Sequence, residues 1–264
     1  MRFAETAGAE MGGASRSGLV TLITAVRNGA SQIGATLESV AAQDWPAIEH
    51  IVIDGASTDD TVERVRRSRA KVTRLVSETD TGVYDAFNKG LRLANGEVIA
   101  FLNCGDTYAS SGVVSAMMRE LSLDPGLQAV YADVTITDAS GRPRRRYSSR
   151  GFTPDRMRFG FMPAHPSLFM RTCTYRRLGG YDTSYRIAAD FEFCLRAFWR
   201  ERIQHRYSAL NAVYMPNGGL SNRGWRSKLT ITREMHRACI NNGVPTSYAR
   251  LLLRIPLKLL ELRP

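Results

Sequence analysis

From Leu19 to Leu121 short apolar runs alternate with amphipathic stretches, and this rhythm limits the fold more than any other feature of the chain. Residues 19–26, 48–53, 71–76 and 97–102 are apolar or β-branched runs of strand length. Between them, Ser31 stands as a cap before Ile33, Leu37, Val40 and Ala41, which share one helical face. A charged helix opens at Ser57 or Thr58 and runs to Arg67. Val83, Phe87, Leu91 and Ala94 line a third helix, and Val113, Val114, Met117, Met118 and Leu121 a fourth. Strands separated by helices in this way predict an α/β protein with a Rossmann-like, mostly parallel central sheet flanked by helices. In such sheets ligands collect beyond the carboxyl ends of the strands. Thr24 and Asn28 stand at the first of those ends, Asp54 at the second, and Glu78 and Asp80 at the third. Asn103, Gly105 and Asp106 stand at the fourth. Neighbouring strands lie about 4.8 Å apart, so these polar groups are expected to converge on one crevice.

The second half is less regular. Residues 128–137, 163–170 and 204–215 read as strands, and 138–141 as a turn before a basic stretch. Phe191, Leu195 and Phe198 mark a helical face after Asp190, and the chain from Trp225 reads as helical. Without repeats or a strong linker, the expected organisation is one domain over 18–224. A Gly/Ala/Ser-rich, disordered leader (1–17) precedes it, without the apolar stretch of a signal peptide, and a helical C-terminal tail (225–264) follows.

Composition narrows the partners. At 264 residues and 44% hydrophobic content the chain can bury one large core. No apolar run reaches the roughly 18 residues of a membrane span. A net charge of +11 favours a polyanion: nucleic acid, anionic lipid or a phosphorylated substrate. Scattered basic residues without a recognition motif argue against nucleic acid. Cys104, Cys173, Cys194 and Cys239 are far apart, which suits a reduced, cytoplasmic chain without disulfides or a zinc cluster. The turn Arg27-Asn28-Gly29-Ala30 lacks the glycine spacing of a dinucleotide site, and no P-loop occurs. In residues 248–263 leucines alternate with Arg250, Arg254, Lys258 and Arg263. That pattern suits an anionic membrane surface, which would make the chain peripheral on the inner face of the cell membrane, and equally a helix packed on the domain.

Asp106 and Asp190 carry the candidate chemistry. A hard divalent cation takes oxygen ligands and shares them with phosphates, and Gly105 would let a diphosphate approach the backbone. Capping of the next helix is the other reading of Asp106. Asp190 opens a helical stretch, where it fits either a general base or an N-cap.

The segments ITAVRNGA, IVIDGASTDDT, SETDTGVYDAFNKGLRLANGEVIAFLNCGD, HPSLF, LGGYD and AADFEFCLR, in this order, resemble family 2 glycosyltransferases of the GT-A fold over about residues 19–222. The nearest branch resembles short bacterial enzymes of exopolysaccharide or glycolipid biosynthesis. The resemblance implies inverting transfer of a sugar from a nucleotide-diphospho-sugar to a hydroxyl of a saccharide or lipid-linked acceptor. It implies that Asp54 contacts the nucleobase and that Thr24 lines the same pocket. Asp80 would border the nucleotide, with Asn28 and Glu78 among the substrate-binding residues. Asp106 would ligate Mn²⁺ or Mg²⁺, and Asp190 would be the general base. Asn103 and Gly105 stand where relatives carry further carboxylates. Phe87 stands where many carry an arginine, which leaves open whether Lys89 supplies that cation. Glu192, two residues along a helix from Asp190, would point about 200° away. His165 would meet the acceptor or the sugar diphosphate, or be a buried structural histidine. The loop Gly218-Gly219-Leu220-Ser221 would fold over the donor or be an ordinary turn. The alternative function is a catalytically inactive nucleotide-sugar-binding module of the same fold.

Overall fold

The computed structural model describes residues 16–217 and 224–254. The first half builds the expected parallel layer. Strands β1 (Arg16–Val26), β2 (Ile48–Asp54), β3 (Arg74–Ser77) and β4 (Gly96–Phe101) pair in parallel in the order β3-β2-β1-β4. Helices α1 (Ile33–Ala41), α2 (Thr61–Arg67) and α3 (Val83–Leu93) connect them. Alternation in β1 decides which face each helix covers. Ile23 and Ala25 pack with Phe87 and Leu91 of α3, whereas Val26 packs with Ile33 and Leu37 of α1 and Val65 of α2.

Beyond β4 the sheet changes direction. A short β5 (Thr107–Tyr108) and α4 (Val113–Leu123) lead to β6 (Ala129–Thr137) and β7 (Pro143–Tyr147). Strand β8 (Phe169–Arg171) lies antiparallel between β4 and β6, and β9 (His205–Pro216) runs parallel to β6. The sheet is therefore parallel in its first half and mixed in its second. Antiparallel β8 brings the residues that precede it to the carboxyl end of β4. Helices α5 (Thr172–Leu178), α6 (Ala189–Cys194), α7 (Gly224–Asn241) and α8 (Tyr248–Leu252) complete the described chain. α6 continues into one wide π-helical turn at Leu195–Arg200. Met235, Ala238, Cys239, Val244 and Leu251 join the same core as Ile23 and Phe101, so α7 and α8 pack on the domain.

Several local expectations shift for physical reasons. β1 begins at Arg16, two residues before the domain's expected start at Gly18. Ser31 is not a cap: the turn closes through Gln32 and Ile33 amides on the Gly29 carbonyl, and Ala41 is exposed. α2 starts at Thr61, because Ser57 and Thr58 are spent on Asp54 and Asn28. Residues 163–170 are only partly a strand: Pro166 lacks an amide donor, and His165–Ser167 forms a 3₁₀ turn before β8. The Gly218–Ser221 loop and the tail beyond Arg254 lie outside the described residues. Among the described residues no helix is long and apolar enough to cross a membrane.

Gly90 is where α3 meets β1 most closely. A Cβ there would lie 2.5 Å from Ile23 Cγ2. Alanine in a helix interior normally gains about 1 kcal/mol over glycine, but overpacking costs about 1–3 kcal/mol. Because the branched Ile23 side chain is fully buried, the steric cost should prevail. Gly90→Ala is expected to lower the denaturation midpoint; an unchanged or raised midpoint would show that α3 can move off the sheet.

Candidate active site

The loops at the carboxyl edge are tied together before any ligand enters. Asn28 adopts a left-handed conformation (φ 51°), which turns the chain sharply after β1. Its amide donates to Ser57 Oγ (2.7 Å), the Gly29 amide to Thr61 Oγ1 (2.9 Å) and the Ala30 amide to Asp59 Oδ2 (3.1 Å). Thr58 N–H returns a bond to Asn28 Oδ1 at 2.8 Å. These amides are thus committed within the protein and form no anion cradle. Asp54 is fully buried and accepts from Ser57 N–H (3.0 Å), Ser57 Oγ and Ser77 Oγ (2.7 Å). It organises the loop rather than lining the open cleft.

That cleft has a volume of about 1660 Å³. Asn28, Asp80, Asn103, Gly105, Asp106, His165 and Asp190 all line it, so residues far apart in sequence converge as expected. Thr24, Glu78 and Lys89 do not. Thr24 points under the sheet toward α1 and α2, its hydroxyl 3.0 Å from His50 Nε2, because its place in the pleat turns it away from the cleft. Lys89 is held by the Thr79 carbonyl (2.6 Å), Glu78 (3.0 Å) and Asp85 (3.7 Å). It pins the loop after β3 and does not line the cleft. Phe87 instead stacks on the His165 ring, with centroids 5.6 Å apart. His165 combines both readings of its role: it lines the cleft, yet its Nε2 lies 2.8 Å from Tyr181 Oη, and burial lowers its pKa to about 4, so it is neutral.

At the tip of β4, Asp106 is 6% exposed, and burial pushes its carboxyl up to about 8, partly offset by the Asn103 amide. Beside it, Asn103 Oδ1 is buried without a hydrogen-bond partner. Once ionised, Asp106 and the unpartnered Asn103 oxygen are hard oxygen donors of the kind a divalent cation takes. Among the described residues no group of three His, Cys, Asp or Glu side chains could hold a metal, so further ligands would come from phosphate oxygens and water.

Asp190 lies in the first turn of α6. Its Oδ1 accepts from Phe191 N–H (2.8 Å) and Tyr84 Oη (3.2 Å), which leaves Oδ2 for a proton. Burial raises its pKa to about 6, against the lowering effect of these bonds. The single Tyr84 proton is shared between Asp190 Oδ1 and the Ile187 carbonyl, which lies within hydrogen-bond reach of the same hydroxyl. Glu234 of α7 accepts three successive amides, from Arg186 (2.8 Å), Ile187 (2.8 Å) and Ala188 (2.9 Å), and fixes the approach to Asp190. Tyr84 and Glu234 were missed in the sequence. Tyr84 sits among apolar helix positions and Glu234 on a strongly basic stretch, and neither pattern signals a partner 106 or 46 residues away. Glu192 points elsewhere and pairs with Arg196 at 2.9 Å.

The sequence matches a family model described as Glycosyl transferase family 2 over residues 21–177. It is 30% identical over 208 residues to the PGL/p-HBAD biosynthesis glycosyltransferase of Mycobacterium bovis, covering 77% of this chain and 79% of that one. Among solved structures, S. aureus TarS 1-349 in complex with UDP-GlcNAc superposes with a TM-score of 0.66 at 17% identity, over 89% of this chain and 71% of that one. The mannosyltransferase PcManGT of Pyrobaculum calidifontis, in complex with GDP-Man and Mn²⁺, gives 0.63 at 20% identity, over 89% and 70%.

Burial of Asp106 sets a pH dependence of stability. Its protonated form is favoured in the folded chain, so its stabilising contribution is complete below the unfolded value of 3.8 and is lost as pH rises through about 8. Without divalent cations, Asp106→Asn should therefore raise Tm more at pH 8 than at pH 4. Mn²⁺ should raise Tm of the wild type at pH 8 and leave the variant unmoved. Equal Tm shifts at both pH values, or equal Mn²⁺ responses, would contradict the buried-charge account.

Proposed function

The chain belongs to glycosyl transferase family 2 and has the GT-A fold, and we propose that it is an inverting enzyme that moves a sugar from a nucleotide-diphospho-sugar to an acceptor hydroxyl. One observation carries the reading: Asp106, from the tip of β4, and Asp190, from α6, line the same cleft. The nucleotide sugars bound by TarS and PcManGT support such a donor here. The mycobacterial relative's name supports a biosynthetic setting, and the acceptor in this reading is a saccharide or lipid-linked molecule.

The chemistry follows from the carboxylates. At neutral pH Asp190, with its pKa near 6, is mostly ionised and only weakly solvated. Its Oδ2 takes the proton of the acceptor hydroxyl while the hydroxyl oxygen attacks the anomeric carbon. The bond from that carbon to the diphosphate breaks on the opposite face, which inverts the configuration. Tyr84 and the Phe191 amide hold Oδ1, so the base keeps one orientation through the transfer. Asp106 and Asn103 Oδ1 would hold a divalent cation, Mn²⁺ or Mg²⁺, whose charge would stabilise the departing diphosphate.

Donor consumption, followed as nucleoside diphosphate release with a panel of donors, tests this reading. kcat/KM should rise with pH through about 6 and level off above it, since the base works only when ionised. Asp190→Asn should keep donor affinity and lose about 10²- to 10⁴-fold in transfer. Near-normal turnover of Asp190→Asn would remove the base assignment, and a wild type that binds donors without turnover would favour an inactive binding module.

A further inference from the structure

The cleft is electrically divided. At its β4 end the acids Asp80 and Asp106 line it together with Arg27. Among the described lining residues from 186 onward, the only acid is Asp190, and Arg186, Lys228, Arg233 and Arg254 are the basic ones. Arg254 is the least ordinary of these. It is 6% exposed, and no carboxylate among the described residues pairs with it. Its guanidinium donates to Thr232 Oγ1 (3.0 Å) and to Met235 Sδ, both neutral acceptors. A guanidinium stays charged when buried, and a buried charge needs a counter-ion. Lys228, Thr232 and Met235 follow one another at helical spacing, so α7 presents them on one face. Glu234 bonds that helix to the amides just before Asp190, so the face is anchored to the segment that carries the base. Apolar groups line the same wall: Ile231 of α7, with Leu229 and Leu252 half exposed at 47% and 48%.

We propose that the part of the cleft walled by α7 and α8 is the acceptor subsite and that it takes a phosphate-bearing amphipathic acceptor. The phosphate sits on Arg254 and Lys228, and the apolar portion against Leu229, Ile231 and Leu252. The inference rests on Asp190 as the base, because the acceptor hydroxyl must lie beside the group that takes its proton. It extends that reading by naming the chemistry of the acceptor, and it assigns a role to helices outside the family-matched segment 21–177.

Calorimetric titration of the full chain with dihexanoylphosphatidic acid, dihexanoylglycerol and glycerol 3-phosphate tests it. Dihexanoylphosphatidic acid should bind at least about tenfold more tightly than the neutral glyceride, the loss expected for one charge-assisted hydrogen bond. Arg254→Gln and the exposed Lys228→Gln should each weaken it about tenfold and leave UDP or GDP binding with Mn²⁺ unchanged. Equal affinity for the neutral glyceride, or no effect of either substitution, would overturn the anion site. Loss of nucleotide binding in both variants would overturn the separation of the two ends. Glycerol 3-phosphate binding as well as the lipid would assign the phosphate to a soluble ester and overturn the apolar half. A wild type that binds the phosphatidic acid but no nucleoside diphosphate would support this site and sink the donor reading instead.

Discussion

A carboxyl group taken out of water must be protonated, paired or compensated, and the cleft is organised around two that no cation among the described residues pairs with. Asp106 and Asp190 are both pushed upward by burial, to about 8 and about 6. The difference follows from their surroundings. Asp190 receives a phenol and a backbone amide on one oxygen, which lowers the cost of its charge enough for a base at neutral pH. Asp106 has less such help and lies beside an oxygen with no donor, so its protonated form is held to a higher pH. The same burial thus leaves the two carboxyls with different proton affinities.

The N-terminal half of this arrangement was legible in the sequence and most of the C-terminal half was not. β1, β2 and β4 are apolar runs flanked by helices, and periodicity places their ends within a residue or two. That is enough to bring Asn28, Asp80, Asn103 and Asp106 to one edge. Period alone also misplaced residues. Thr24 ends up beneath the sheet because strand parity, rather than position near the strand end, decides which face a side chain takes. Asp54 and Lys89 stand near the edge, but their hydrogen bonds are spent on the loops that form it. Tyr84, Glu234 and Arg254 act through contacts that depend on how three separate helices dock, and no local pattern encodes those contacts.

The C-terminal helices are therefore structural members of the site and not an appendage to it. Glu234 substitutes its carboxylate for the hydrogen bonds that the Arg186–Ala188 amides would otherwise lack, and α7 shares the main core through Met235 and Ala238. The basic tail, which suits either a membrane surface or a packed helix, reaches the core up to Arg254 through Leu251 and Arg254, while Tyr248, Leu252 and Leu253 stay half exposed. Its charges face a cleft as well as solvent, and this links the net charge of +11 to a substrate as directly as to a surface.

The pairing of β6 with β9 has a temporal consequence. Ala129 of β6 waits for His205 of β9, its parallel partner, whereas β1 to β4 can pair once residue 101 has been synthesised. Such long-range parallel pairing is slow to form. During translation the β1–β4 end would assemble early, while β6 keeps an open ladder edge until the last quarter of the chain emerges. An edge of that kind, all of it apolar or β-branched except Asp133, is the natural place for two nascent chains to join in error.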